Sequence, residues 1–190
     1  MDQEQAPATA GGRSRTTSRE ELVRTAVEAI DAHGLEALSM RTLAKGLGVS
    51  TMGLYRYVRT KEELLALLPE HLLASTAAAV LRSDDSATAL REVAGGLRGV
   101  LERHPRAAPL FARPTPGPAM TRAGVHCATL LQGEGARPEE AFEMVRAVVA
   151  QVVGESLTSH GGSGELGLDL VLTGIERRLE RRRSGSPGTV

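Results

Sequence analysis

Apolar residues recur three and four positions apart along most of the chain and rarely alternate, so the pattern reads as helix after helix. Leu22, Val23, Ala26, Val27 and Ile30 make the first stripe. Ser18 opens it with Glu21 three residues on, a pair in which each side chain satisfies the other's free backbone donor. Gly34 is placed to stop this helix in a left-handed conformation. Ser39 opens a shorter stripe of Met40, Leu43, Ala44 and Leu47 that ends at Gly48, and Ser50 opens a third through Tyr57. Thr60 with Glu63 begins a helix expected to run unbroken to about Leu81, where Ser83-Asp84-Asp85-Ser86 interrupts the chain. The next stripe reaches Arg103 and is halted by His104-Pro105. Prolines 114, 116 and 118 predict a rigid loop, followed by a helix over Ala119 to Leu131. Pro138, Glu139 and Glu140 suit a helix start, since proline lacks the donor that is orphaned there and the acids favour the positive end. That helix is expected to reach Ser159, and a Gly161-Gly162-Ser163-Gly164 break precedes a last one over Glu165 to Arg183.

The expected fold is all-α, about nine helices with no strand and no internal repeat. Residues 1–17 read as a disordered basic arm, 18–64 as a compact head, 65–183 as a helical body and 184–190 as a disordered tail. Composition agrees: of 190 residues 41% are hydrophobic but only 2% aromatic, so the core must be built from Leu, Val, Ala and Met. Cys127 is the single cysteine, which excludes an internal disulfide and a cysteine metal framework and suits a reducing cytoplasm. The first residues show no signal-peptide pattern, and no run of about 18 apolar residues predicts a membrane span. A cytoplasmic protein with no membrane partner is expected.

Formal net charge is zero, so the placement of charge carries the information. From Arg13 to Lys61 the acids Glu20, Glu21, Glu28, Asp31 and Glu36 all precede Arg41, while Arg41, Lys45, Arg56, Arg59 and Lys61 follow without an intervening acid. Within this stretch Ala44, Gly48 and Leu54 have the spacing of a helix-turn-helix: a small residue where two helices cross, a glycine free to take positive φ, and an apolar plug. Any tight helical hairpin has similar needs. What distinguishes this one is the short helix after Ser50. It presents Thr51, Met52, Tyr55 and Arg56 outward, and it carries both tyrosines of the chain, Tyr55 and Tyr57, whose hydroxyls can donate to phosphate.

The run from Leu38 to Leu64, and "LYRYVRTKEELL" within it, resembles the DNA-binding head of TetR-family repressors, over about residues 18 to 68. The resemblance implies a helix-turn-helix domain over 18–64 and a ligand-binding and dimerisation domain over 65–183. It implies that Thr51, Met52 and Gly53 approach base edges and that Arg41, Tyr55, Tyr57 and Lys61 hold phosphates, with Ser50 and Arg56 beside them. Met52 and Gly53 offer little hydrogen bonding, which directs readout toward thymine methyls and toward Thr51 or Arg56. Arg13, Arg15 and Arg19 form either an arm for a minor groove or a solubilising tail.

In the body, the helix from Pro138 is apolar around nearly its whole circumference, so it must be covered on two sides. Val145, Val148, Val149 and Val152, with Leu168, Leu172, Ile175 and Leu179 of the last helix, are the candidate homodimer interface; an unusually well-buried monomer core is the alternative. Leu97, Leu101, His104, Phe111, Met120, His126, Cys127 and Met144 are candidates for a small-molecule pocket, each also explicable as core. His126 and Cys127 are adjacent and point apart on a helix, a poor metal site. Likeness to tetracycline-type repressors places a magnesium-holding histidine near Phe111, and phenylalanine cannot ligate a metal, so neither a metal nor another cofactor is expected. No nucleophile elbow, HExxH, phosphate loop or paired His/carboxylate spacing points to an enzyme. The expectation is a regulator that binds a palindromic operator in double-stranded DNA as a homodimer and is released by a small molecule; a ligand-independent DNA-binding regulator is the alternative.

Overall fold

The computed structural model describes residues 18–112, 117–158 and 165–185. The basic arm, most of the proline-rich loop, the glycine break and most of the tail lie outside them. Among the described residues there are ten α-helices and one short 3-10 helix, and no strand. The head holds α1 (Arg19–His33), α2 (Met40–Leu47), α3 (Thr51–Leu54) and the start of α4 (Lys61–Leu72); the body holds α5 (Ala74–Val80), α6 (Ser86–Arg103), α7 (Ala108–Phe111), α8 (Pro118–Gly133), α9 (Pro138–Thr158) and α10 (Glu165–Arg183), with the 3-10 turn Pro105–Ala107 before α7.

The caps set the head's boundaries. Ser18 Oγ accepts the Glu21 N–H at 3.0 Å, and Ser39 and Thr42 bond reciprocally at the start of α2. Thr60 Oγ1 accepts from the Glu63 N–H at 3.0 Å, but the Glu63 carboxylate accepts from the Arg59 N–H (2.7 Å), one residue earlier than a reciprocal box requires. Gly48 adopts the left-handed helical conformation (φ 67°, ψ 28°). The Val49 N–H then reaches back to the Ala44 carbonyl and that of Gly48 to Lys45, the paired bonds that close a helix C-terminus around a glycine. Gly34 also has positive φ (83°), but with an extended ψ of 164°, so α1 ends in a sharper exit than the expected left-handed stop.

One expectation about the connecting helices needs correction. The helix from Thr60 does not run to Leu81: α4 carries Pro69, ends at Leu72, and meets α5 at a bend of 58°. Periodicity continues across the bend, but packing overrides it. Thr76 of α5 is buried against Gly96 of α6 so closely that a methyl there would lie 2.1 Å from the threonine hydroxyl. The pattern assigns no element to the segment after His104-Pro105. It folds into the 3-10 turn and α7, which sequence periodicity could not show in so few residues.

Two apolar clusters result. The head cluster joins α1, α2 and α3 to Leu64, Leu65 and Leu68 of α4, so it extends beyond residue 64, and it also takes in Ala107 and Leu110 from the body segment. The body cluster joins α5, α6, α8, α9 and α10 and includes Ala108, while Leu72 and Phe111 pack against both. Polar links hold the same junction. His104 Nδ1 lies 2.7 Å from Asp31 Oδ2, and the Arg106 guanidinium donates to the Asp31 and Ala32 carbonyls at the end of α1, where a cation is favoured. Glu70 of α4 accepts the N–H groups of Ala119 (2.9 Å) and Met120 (3.0 Å), capping α8 with a carboxylate.

Between α9 and α10, the Glu140 carboxylate accepts from Arg178 and, at 2.8 and 3.0 Å, from Arg182. The Arg178 guanidinium, aided by Arg182 and the Arg137 N–H, holds this carboxyl down at about 2 from the usual 4.5. Its stabilising contribution is therefore complete above pH 4.5 and is lost as pH falls toward 2. Glu140→Gln is expected to flatten the acid limb of the stability profile in that window; an unchanged limb in urea unfolding at stepped pH would refute the assignment. Leu110→Ala, at a fully buried site, is expected to cost about 2–5 kcal/mol by urea unfolding although residue 110 lies far along the chain from the head it packs into. A cost under about 1 kcal/mol would place Leu110 outside the head core.

Candidate nucleic-acid interface

Ser50 is exposed, and its hydroxyl accepts the Gly53 N–H at 3.1 Å, fixing the start of α3. Leu54 points inward and is fully buried in the head core, which turns the other side of α3 to solvent. Met52 is 77% exposed and Tyr55 44% exposed. Thr51, Gly53 and Tyr57 are half-buried, and Arg56 is exposed with its guanidinium 5.9 Å above the Tyr57 ring. The reading helix is shorter than the periodicity suggests, since Tyr55–Tyr57 form a turn closed by the Tyr57 N–H on the Leu54 carbonyl (2.9 Å).

Arg41 stands exposed in the first turn of α2, and Lys61, half-buried, opens α4. The structure thus brings together the whole predicted set from Arg41 to Lys61 on and around α2, α3 and the start of α4. Sequence reasoning left out Lys45 and Arg59, both exposed in the same region and readable from the charge pattern alone. Among the described residues none of Arg41, Lys45, Arg56, Arg59 and Lys61 has an ion-pair partner, whereas Arg19 pairs with Glu63 (3.5 Å) and Arg24 with Glu28 (3.9 Å). Cations left out of ion pairs, near a short exposed helix in the chain, can engage a polyanion at no cost in broken ion pairs.

Residues 22–68 match the sequence profile of bacterial regulatory proteins of the TetR family. By its head, the chain belongs to the TetR family. The chain is 34% identical over 145 residues, 75% of its length, to the HTH-type transcriptional repressor DrrR1 of Streptomyces coeruleorubidus. It spans about half of that relative, 54% of its length. Its fold is similar to that of a TetR variant from Acinetobacter baumannii AYE in complex with minocycline, with a TM-score of 0.75 and 26% identity over 86% of this chain and 98% of that one. BioQ bound to its natural double-stranded DNA operator shares the fold at a TM-score of 0.68 and 24% identity, covering 85% of this chain and 99% of that one.

In the body of this TetR-family chain, the residues named as pocket candidates sit in or beside the apolar core or in polar contacts. Leu97, Leu101, Cys127 and Met144 are buried in the body core, and Phe111 and Met120 pack at its edge. His104 is engaged with Asp31, and His126 Nε2 bonds the Ser83 carbonyl at 2.9 Å. The two cavities described are lined by none of these eight. One, of about 550 Å³, is an open groove between α6 and α10 bordered by Arg91, Arg98, Leu168 and Leu172; the other, of about 160 Å³, lies near Leu90, Leu172 and Ile175.

Four of the expected interface residues are likewise committed elsewhere. Val148, Val152, Ile175 and Leu179 are buried within the chain itself and leave no surface for a partner. Val145, Val149, Leu168 and Leu172 are half-buried against the same core. The apolar side chains turned outward are instead Phe142 and Leu157 on α9 with Leu166 (71% exposed) and Leu170 (63% exposed) on α10. An all-round apolar helix does not reveal which stripe faces its own chain. The sequence reading took the stripe through Leu168, Leu172, Ile175 and Leu179 because it is the more regular one; within the chain Ile175 and Leu179 are buried and Leu168 and Leu172 half-buried.

Cys127 is buried, and desolvation, with the Glu134 charge adding to it, pushes its thiol up to about 11 from 9.0. The folded protein should react with a disulfide reagent at pH 8 far more slowly than the unfolded chain, as absorbance with and without denaturant would show. Equal rates would mean that α8 opens readily.

Proposed function

We propose that this TetR-family chain is a transcriptional repressor that binds a palindromic operator as a homodimer and is released by a small-molecule ligand. The observation that carries the reading is the group of five exposed or half-buried cations, none in an ion pair among the described residues, on α2, in the turns after α3 and at the start of α4. In this reading α3 enters a major groove, with Thr51, Met52 and Gly53 toward the bases and Arg41, Tyr55, Tyr57 and Lys61 on phosphates. The repressor DrrR1 and operator-bound BioQ support the DNA-binding part by likeness.

Dimerisation is carried by Phe142, Leu157, Leu166 and Leu170, with the half-buried Val145 and Val149 beside them. An exposed apolar face on two adjoining helices needs covering, and a second copy would present the same face across a two-fold axis. Two heads about 34 Å apart would then meet successive turns of one DNA face. Release by a ligand draws on the likeness to a minocycline-bound TetR. The second reading, regulation without a ligand, is favoured by the burial of Leu97, Leu101, Cys127 and Met144 in a continuous core rather than around a cavity.

The test is titration of a duplex selected by the protein from a random pool, followed by anisotropy across a salt series. Tyr55→Phe combined with Lys61→Ala is expected to weaken binding to all sequences and, through the lost Lys61 charge, to reduce the slope of log K against log salt by about one. An unchanged slope would remove Lys61 from the phosphate contacts, and unchanged affinity in Tyr55→Phe alone would remove Tyr55. Compounds that release the wild-type protein from the selected duplex would separate the ligand-responsive reading from the constitutive one.

A further inference from the structure

Resting on the DNA-binding reading, we propose that the first turn of α3 reads sequence through the C5 methyl of thymine, with Met52 as the specificity-determining side chain. The argument is one of elimination within a very short element. Ser50 is tied to the helix it caps through the Gly53 N–H, and Gly53 has no side chain. Leu54 is fully buried, and Thr51 is half-buried. Arg56 lies beyond the first turn with its guanidinium over the Tyr57 ring. That leaves Met52, 77% exposed, as the side chain projecting from the turn that would lead into the groove.

Its surroundings identify what covers it. Met52 is a large apolar side chain in a head whose exposed groups include Arg41, Lys45 and Arg56, and among the described head residues Tyr55 is the one other large apolar residue exposed, too little for an apolar protein-docking patch. Those cations fit a polyanion, and in a duplex the one apolar group a base presents in the major groove is the thymine methyl. The thioether neither donates a hydrogen bond strongly nor accepts one strongly, so it cannot distinguish bases by their polar edges. Its unbranched, polarisable chain can adapt to a methyl group. The half-site bound by this chain is therefore expected to be specified by thymine at the position facing Met52 and to tolerate changes that alter polar edges only.

The experiment uses the full chain and the duplex it selects from a random pool, synthesised with thymine or with deoxyuridine at each thymine position in turn. Deoxyuridine removes the methyl and leaves every polar group in place. The expected result is a three- to fivefold loss of affinity at one position per half-site, on the order of one buried methyl, compounding when both half-sites are replaced. Met52→Ala should bind the thymine and deoxyuridine duplexes equally well, which also controls for any effect of the methyl on DNA shape. Wild-type indifference to deoxyuridine at every position, or undiminished discrimination by Met52→Ala, would overturn the proposal while leaving DNA binding intact. Failure to retain any duplex at low salt would overturn the DNA-binding reading along with it.

Discussion

The architecture depends on how one short segment divides its side chains between two cores. Ala107 and Leu110 complete the head, Ala108 completes the body, and Phe111 rests between them with Leu72. A segment shared in this way cannot follow one unit without disturbing the other, because both interiors are close-packed. The flanking polar contacts reinforce it from each end. His104 and Arg106 grip the end of α1, and Glu70 of α4 holds the start of α8. One oxygen of Asp31, Oδ1, is buried without a hydrogen-bond partner, a local cost borne beside the His104 contact.

The head was almost fully legible because its features are local. Ser18, Ser39, Ser50 and Thr60 each cap the helix that follows, Gly48 adopts the left-handed conformation its place demanded, and Leu54 fills the core as its spacing required. These features depend on hydrogen bonds within four residues and on one apolar face, so the sequence alone contains them. The distribution of charge was equally readable, since residues between Arg41 and Lys61 contain no acid to complicate it.

The body was less legible because its decisive features are tertiary. The stripe of α4 continues in register past Leu73, and the bend there goes with Pro69 in the preceding turn and with the close seating of Thr76 on Gly96, a contact no local pattern shows. Four residues suffice for α7 because its neighbours hold it, not because its sequence favours a helix. On α10 two stripes compete. The one through Ile175 and Leu179 faces the chain's own core, and the one through Leu166 and Leu170 faces outward, a distinction set by how α10 is rotated against α9. The Glu140 contacts to Arg178 and Arg182 fix that rotation from the polar side.

The meeting of Thr76 with Gly96 has a mechanical consequence. With no room for even a methyl between them, α5 is seated on α6 at a point that only a glycine can supply. Sliding by a turn toward the start of α6 would set the threonine against Val93, whereas Gly99, one turn the other way, again lacks a side chain. The seat therefore resists displacement as a pawl does, in one direction and not in the other.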